Sequence, residues 1–145
     1  MKKMIGNGFV TNLPIGWEDR STITLVGPTG RTGFLNNVVI TRESVPPDTR
    51  VADYARVQLK ATPIAGLRVL DESTTSLNDA PVYQRLQRFE VENHRVQQQQ
   101  TFVLGAGIIF VVTCTATVEE FDQQFPAFEQ VLKPFRLFDP ESAVL

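Results

Sequence analysis

The stretch Val82–Thr117, VYQRLQRFEVENHRVQQQQTFVLGAGIIFVVTCTAT, decides the fold of this chain. Turn signals at Asn93 and at Gly105–Gly107 divide it into three segments that are rich in β-branched and aromatic residues. Asparagine and glycine suit tight hairpin turns, whereas β-branched and aromatic side chains favour strands. The stretch therefore predicts three consecutive antiparallel strands. The last segment is the most apolar, which indicates a central strand that is covered on at least part of both faces.

Shorter strands are predicted on the N-terminal side of this meander. Leu67–Leu77 precedes it across a turn at Leu77–Pro81. Nearer the N-terminus, Gly8–Leu13, Ser21–Val26 and Phe34–Glu43 have the apolar anchors and the alternation of half-buried strands. The chain therefore supplies strands both before and after its first helical segment.

Two helices complete the predicted pattern. After the break at Pro46–Pro47, Arg50–Ala61 carries apolar residues at helical spacing. Thr117 and Glu120 have the spacing of a capping box, so a short turn is expected there. The main second helix is expected to begin at Pro126, because a proline inside a helix removes a backbone hydrogen bond.

The order of elements is strands, helix, four strands and helix, which predicts an α+β fold. We expect a twisted antiparallel sheet of about six or seven strands with two main helices packed on it. A single domain is expected over residues 1–145, with an ordered core over residues 8–138. The tail Phe138–Leu145 is expected to be ordered only in part.

The composition excludes several classes of partner. The chain has 145 residues and a net charge of −2, and no basic block exceeds Lys2–Lys3, so nucleic-acid binding is not expected. The longest apolar run, Ile108–Val112, is too short to span a bilayer, so stable membrane insertion is not expected. Met1–Val10 lacks the apolar core of a signal peptide, which predicts a cytoplasmic protein.

The residues that could carry chemistry are few and scattered. His94 and Cys114 are the only residues of their types, and the acidic pairs such as Glu119–Glu120 point apart on regular elements. The glycine-rich run Gly27–Gly33 lacks the lysine of a phosphate loop and joins two strands. The sequence therefore predicts no catalytic, cofactor or metal site. A metal-dependent enzyme is the remaining alternative, and it would require His94, Cys114 and acidic residues to converge.

The single tryptophan, Trp17, follows a turn and precedes a strand. Tryptophan is highly buried on average, so its indole is predicted to cap the core where the first two strands meet. A buried indole N–H would then need a hydrogen-bond acceptor.

One face of the sheet is the candidate site. If Ile23, Leu25, Val38 and Ile40 face the helices, the opposite face is open and rich in hydroxyl and amide groups. Such a face is either simply solvated or a groove that accepts an apolar partner carrying hydrogen-bonding groups. The candidate groove residues are Thr22, Thr24, Asn37, Val39, Thr41, Gln98, Gln100, Thr113 and Thr115.

The order of several short motifs resembles the DcrB-like family, which is built on the PsbP-like fold. The motifs are LPIGWEDRS, NNVVITRE, VPPD, ADYARVQL, QQQQTF, VVTCTAT and FPAFEQVLKPFR, and the resemblance runs from about Phe9 to Phe138. It implies a binding protein without enzymatic activity. Among the family's branches, the chain is most similar to the Eag-type chaperones of type VI secretion.

This resemblance implies a cytoplasmic homodimer that shelters an N-terminal or transmembrane segment of a secreted effector on its sheet face. Thr22 and Thr24 stand where those chaperones carry aliphatic residues, so the resemblance does not decide whether the client segment is transmembrane. A structural or assembly factor of the PsbP or DcrB type, with another protein partner, is the alternative that the same resemblance implies.

Overall fold

An antiparallel sheet and two helices make up the chain in a computed structural model that describes residues 2–138. The prediction for the tail beyond Phe138 lies outside the described residues. The elements are β1 (Lys2–Ile5), β2 (Val10–Leu13), β3 (Thr22–Thr29), β4 (Leu35–Ser44), α1 (Val51–Ala61), β5 (Arg68–Leu77), β6 (Ala80–Val91), β7 (His94–Gly105), β8 (Ile108–Thr117) and α2 (Phe121–Leu132).

The strands β3 to β8 form one six-stranded sheet in the spatial order β3-β4-β8-β7-β6-β5, and all neighbours are antiparallel. The predicted α+β fold is confirmed, and β8 is central, between β4 and β7. The hairpin turns fall where the sequence indicates, since Asn93 and Gly107 adopt φ values of 68° and 75°. The β1–β2 hairpin is a separate two-stranded sheet, and β1 was not predicted from the sequence.

The helices lie on opposite faces of the six-stranded sheet. Phe121 and Phe128 of α2 pack on Val112 and Cys114, whereas Ala55 of α1 packs in a second apolar cluster. That second cluster contains Tyr83, Phe102 and Ile109, which are on the face that the sequence predicted to be open. The prediction of an open face is wrong over β6 and β7, because the central strands carry apolar side chains on both faces and each face needs its own cover.

The second helix begins earlier than predicted and continues through its proline. It starts at Phe121, with Glu120 as the N-cap, and Pro126 lies inside it. The apolar stripe that includes Phe121, Phe125 and Phe128 packs on the sheet, and this burial offsets the hydrogen bond that the proline removes. Thr117 ends β8 instead of capping the helix, and the buried Glu120 carboxylate accepts a hydrogen bond from Thr32 at 3.1 Å.

The loop before β3 is held by its charged residues and not by its tryptophan. Trp17 is 71% exposed, so the predicted cap on the core is wrong. The Glu18 carboxylate accepts the backbone N–H of Ser44 at 2.6 Å, and Asp19 forms an ion pair with Arg42 at 3.4 Å. The Ser44 hydrogen bond lowers the pKa of Glu18. These contacts tie the loop to the end of β4 and leave the indole in solvent.

No helix among residues 2–138 has both the length and the apolarity needed to span a membrane.

The exposure of Trp17 predicts an unusual fluorescence behaviour on unfolding. Because the only tryptophan is already in contact with water in the folded chain, we expect its emission maximum to shift little in urea, whereas circular dichroism follows a cooperative transition. A large red shift that coincides with the loss of secondary structure would show that the indole is buried after all.

The core thiol predicts a loss of stability in alkaline solution. Cys114 is fully buried, and its burial raises the thiol pKa from 9.0 to about 12. The folded chain therefore keeps a proton that the unfolded chain releases, so this contribution to stability is complete below pH 9 and declines as pH rises toward 12. Cys114→Val, which is close in size, removes the titrating group. We expect the free energy of unfolding of the wild type to fall relative to that of Cys114→Val between these pH values in urea titrations. Parallel curves for the two proteins would refute this linkage.

Candidate partner-binding face

The nine candidate residues share the face of the sheet on which α1 lies, and together they define the groove face. They lie in three rows that run across the strands. From β3 inward, the rows are Thr22–Thr41–Val111, Thr24–Val39–Thr113–Gln100 and Val26–Asn37–Thr115–Gln98. The strand alternation read from the sequence therefore places all nine side chains together.

The groove face becomes less accessible from the sheet edge toward the centre. Thr22, Thr24 and Thr41 are exposed, Val39 and Thr113 are half-buried, and the innermost threonine of the set is buried. The helix α1 contacts β6 and β7, so it covers the far half of the same face. The accessible part therefore lies over β3 and β4 and extends only as far as Thr113 on β8, with α1 on one side.

A buried arginine fixes the middle row of the groove face. Arg85 on β6 is 3% exposed, and its guanidinium donates to the Ala55 carbonyl at 3.2 Å and to Gln100 Oε1 at 2.6 Å. The guanidinium also lies over the Phe102 ring at 5.4 Å. Gln100 must therefore turn its amide N–H toward Thr113, whose hydroxyl oxygen lies 3.4 Å away. Since Thr113 accepts there, its own proton is left for an acceptor in the groove.

The next row repeats this arrangement with neutral groups. Gln87, which is buried on β6, donates to Gln98 Oε1 at 2.9 Å, and Gln98 donates to Thr115 at 3.0 Å. Both rows thus have their donors directed from β6 toward β8. At the inner end of the groove face, the amides are oriented by buried partners and not by solvent, which preorganises the surface for hydrogen bonding.

The residues that a metal-dependent enzyme would have to bring together lie apart. Cys114 is buried on the α2 side, and its raised pKa keeps the thiol protonated at neutral pH. His94 is the first residue of β7, directly after the turn that joins β6 to β7. Its ring contacts the Phe34 ring edge-to-face, with 5.6 Å between the ring centroids. Within residues 2–138, no three histidine, cysteine or acidic side chains come together as a metal-binding group.

Two features of the groove face were not predicted from the sequence. Arg85 and Gln87 are in phase with Tyr83 on β6, so the alternation that placed the other strands could also have placed them. The Tyr54 hydroxyl of α1 hydrogen-bonds the Glu43 carboxylate at the end of β4. Burial, followed by this carboxylate, raises the Tyr54 pKa, so the phenol stays protonated and able to donate. No local sequence signal predicts that contact, because it depends on where α1 crosses the sheet.

The comparison with known families agrees with this architecture. The profile of the DcrB family matches residues 11–134, which is most of the chain. The chain belongs to the DcrB family. Among curated proteins, no sequence is significantly similar to this DcrB family protein.

Solved structures share its fold at low sequence identity. PA94, a Pseudomonas aeruginosa protein of unknown function, superposes with a TM-score of 0.85 at 18% identity over 96% of this chain and 98% of that one. Cyanobacterial PsbP (CyanoP) from Synechocystis sp. PCC 6803 gives 0.58 at 12% identity, over 90% and 85% of the two chains. LpqN from Mycobacterium tuberculosis gives 0.55 at 13% identity, over 83% and 85%. The resemblance to the PsbP-like fold is therefore confirmed.

The contact between Arg85 and Gln100 predicts that leucine will lower stability at one position of β7 and not at the adjacent one. Gln100→Leu leaves the buried guanidinium without one acceptor, so it should lower the free energy of unfolding by about 1–3 kcal/mol. Gln99 points to the opposite face and borders an open cleft there, so Gln99→Leu should change stability by about 0.5 kcal/mol or less. Urea unfolding of both variants measures the difference. Equal effects would mean that Gln100 is not an essential partner of Arg85.

Proposed function

We propose that this DcrB family protein is a non-catalytic chaperone or adaptor that shelters a segment of a protein client on the groove face. The observation that carries the proposal is the contact of Gln100 with Thr113, which the buried Arg85 orients, beside the accessible Thr24 and Val39. The proposed client is an N-terminal or transmembrane segment of an effector that a type VI or related contractile system exports. The proposed setting is the cytoplasm, and the proposed active form is a homodimer.

The chemistry of the groove face matches such a client. An apolar segment in water needs its side chains covered, and Val39 together with the exposed Val26 offers apolar contact. The same segment has polar groups that lose water on binding, and each one costs free energy unless it finds a partner. The Thr113 hydroxyl proton and the exposed hydroxyls of Thr24 and Thr41 can provide those partners. The mixture of groups favours a segment that is apolar but carries some hydrogen-bonding groups.

An assembly factor with another protein partner is the second candidate. LpqN, which shares the fold, is described as involved in cell envelope biogenesis. Both candidates require a protein to bind without turnover, and they differ in the identity of the partner. The groove face favours the chaperone, because its accessible part is lined by both hydroxyl and aliphatic groups.

Binding of a defined apolar segment tests the proposal. The probe is a soluble carrier protein with one N-terminal helical segment of about 20 apolar residues, two of them replaced by serine. We expect Val39→Asp and Thr41→Asp each to weaken binding about tenfold or more, because a carboxylate would lose its hydration against the segment. Isothermal titration of the purified proteins measures the dissociation constants.

The matched control is Ser73→Asp, which places the same carboxylate on β5 facing the α2 side of the sheet. That variant should bind the carrier as the wild type does. Equal binding by Val39→Asp, Thr41→Asp and the wild type would place the client elsewhere, and no binding by the wild type would refute the proposed client chemistry.

A further inference from the structure

A cavity lies beneath the loop that joins β2 to β3, away from the groove face. Its volume is about 640 Å³, and it extends to the strand ends where Ser44 of β4 pairs with Ile108 of β8. On β4, Ser44 is in phase with Arg42 and Ile40, which puts this wall of the cavity on the α2 side of the sheet. None of the nine groove-face residues lines the cavity.

The apolar wall of the cavity contains the single tryptophan. Trp17 and Ile15 both line it, although they are 71% and 86% exposed. Leu13 and Ile108 extend the same wall. Accessible apolar side chains beside a cavity are typical of sites that bind the apolar part of a ligand. A bound chain would therefore remove from water a surface that the folded protein leaves exposed.

The acidic residues of the cavity already have hydrogen-bond donors. Glu18 and Asp19 both line the cavity. The two Glu18 oxygens accept from the Ser44 N–H at 2.6 Å and from Arg20 Nε at 3.2 Å. One Asp19 oxygen accepts the backbone N–H two residues further on at 2.9 Å, and the other is paired with Arg42 at 3.4 Å. Since every carboxylate oxygen has a donor, these acids offer little to a cationic ligand.

The basic residues of the cavity have donors without acceptors. Lys2 lines the cavity, and no ion pair within residues 2–138 includes its ammonium. Arg42 also lines it, and the buried Arg42 Nε has no acceptor within the same part of the chain. A buried N–H without an acceptor costs free energy, and an acceptor on a ligand would remove this cost. The cavity is therefore complementary to an anionic group that carries an apolar part.

We propose that this cavity binds an anionic amphiphile, a soluble molecule in which one carboxylate is attached to an apolar chain. The carboxylate lies against Lys2 and Arg42, and the chain covers Trp17 and Ile15. Charge-assisted hydrogen bonds to a carboxylate are the stronger kind, so the two basic groups select for the anion. Because the wall is concave, it encloses a single molecule and not a flat surface. The site goes beyond the proposed client surface and does not depend on it.

The fluorescence of Trp17 reports binding directly. The probe is decanoate, used below the concentration at which it forms micelles and at neutral pH, where its carboxylate is ionised. Since the only tryptophan is in contact with water in the free protein, contact with the chain should shift its emission maximum to shorter wavelength. Decyltrimethylammonium has the same chain and the opposite charge, and it should bind about tenfold more weakly or less. Equal shifts with the two probes would overturn the proposal.

Neighbouring lysines of β1 provide matched variants. Lys2 pairs with Leu13 and both line the cavity, whereas Lys3 pairs with Asn12 and points to the other side of the hairpin. Lys2→Glu should weaken decanoate binding about tenfold or more in isothermal titration. Lys3→Glu changes the net charge equally and should bind as the wild type does. Lys2→Arg keeps the charge and should keep the binding.

Three outcomes would overturn the site. The first is a wild type that gives neither a fluorescence shift nor a heat of binding with decanoate. The second is an equal loss in Lys2→Glu and Lys3→Glu, which would mean that overall charge and not the cavity attracts the probe. The third is a shift with phosphatidylglycerol vesicles and none with decanoate, which would assign Trp17 to a membrane surface.

These outcomes are separable from the failure of the proposed function. Lys2→Glu should bind the apolar carrier as the wild type does, because Lys2 is remote from the groove-face residues in the cavity wall that it shares with Trp17. Carrier binding that survives while decanoate binding is absent would refute the cavity ligand alone. Decanoate binding without carrier binding would refute the client chemistry alone.

Discussion

The arrangement of the groove face depends on one buried positive charge. Arg85 has no carboxylate partner among the described residues, although Glu72 lies directly opposite it on β5. The Glu72 carboxylate instead accepts the hydroxyl of Tyr83, and burial together with this contact raises the Tyr83 pKa to about 12. The guanidinium therefore relies on the Ala55 carbonyl, on Gln100 and on the face of Phe102. Burying a charge costs free energy unless the charge is hydrogen-bonded. These partners therefore cannot move away from the guanidinium without destabilising the fold.

This constraint links the helix to the sheet. By binding the Ala55 carbonyl, Arg85 attaches α1 to β6, and by binding Gln100 it orients the row that leads to Thr113. On the other face, α2 packs on β4 and β8, and a cleft of about 350 Å³ lies between α2 and residues of β5, β6 and β7. Each helix thus covers a different half of the sheet. The groove face is open over strands on which α2 packs from the other side.

Strand alternation was the part of the structure that the sequence could predict. The period of two put the candidate residues of each strand in phase, and the apolar anchors of β3 and β4 indicated which face they share. The position of α1 could not be read in the same way, since Tyr83, Phe102 and Ile109 on three strands form its contact surface only after the sheet is assembled. The exposure of Trp17 was missed for a related reason. Its loop is fixed by contacts of Glu18 and Asp19 with residues of β4, and residue type alone does not reveal them.

The pairing of β4 with β8 has a consequence for the newly made chain. Asn37 pairs with Thr115, and all of α1 and β5 to β7 is synthesised between them. The hairpin of β3 and β4 therefore leaves the ribosome long before the strand that closes it into the sheet. Until then both of its edges are unpaired, and the loop that must close is longer than for any other pair of strands among residues 2–138, which slows folding. The apolar β3 strand is thus the segment most exposed to wrong pairing during synthesis.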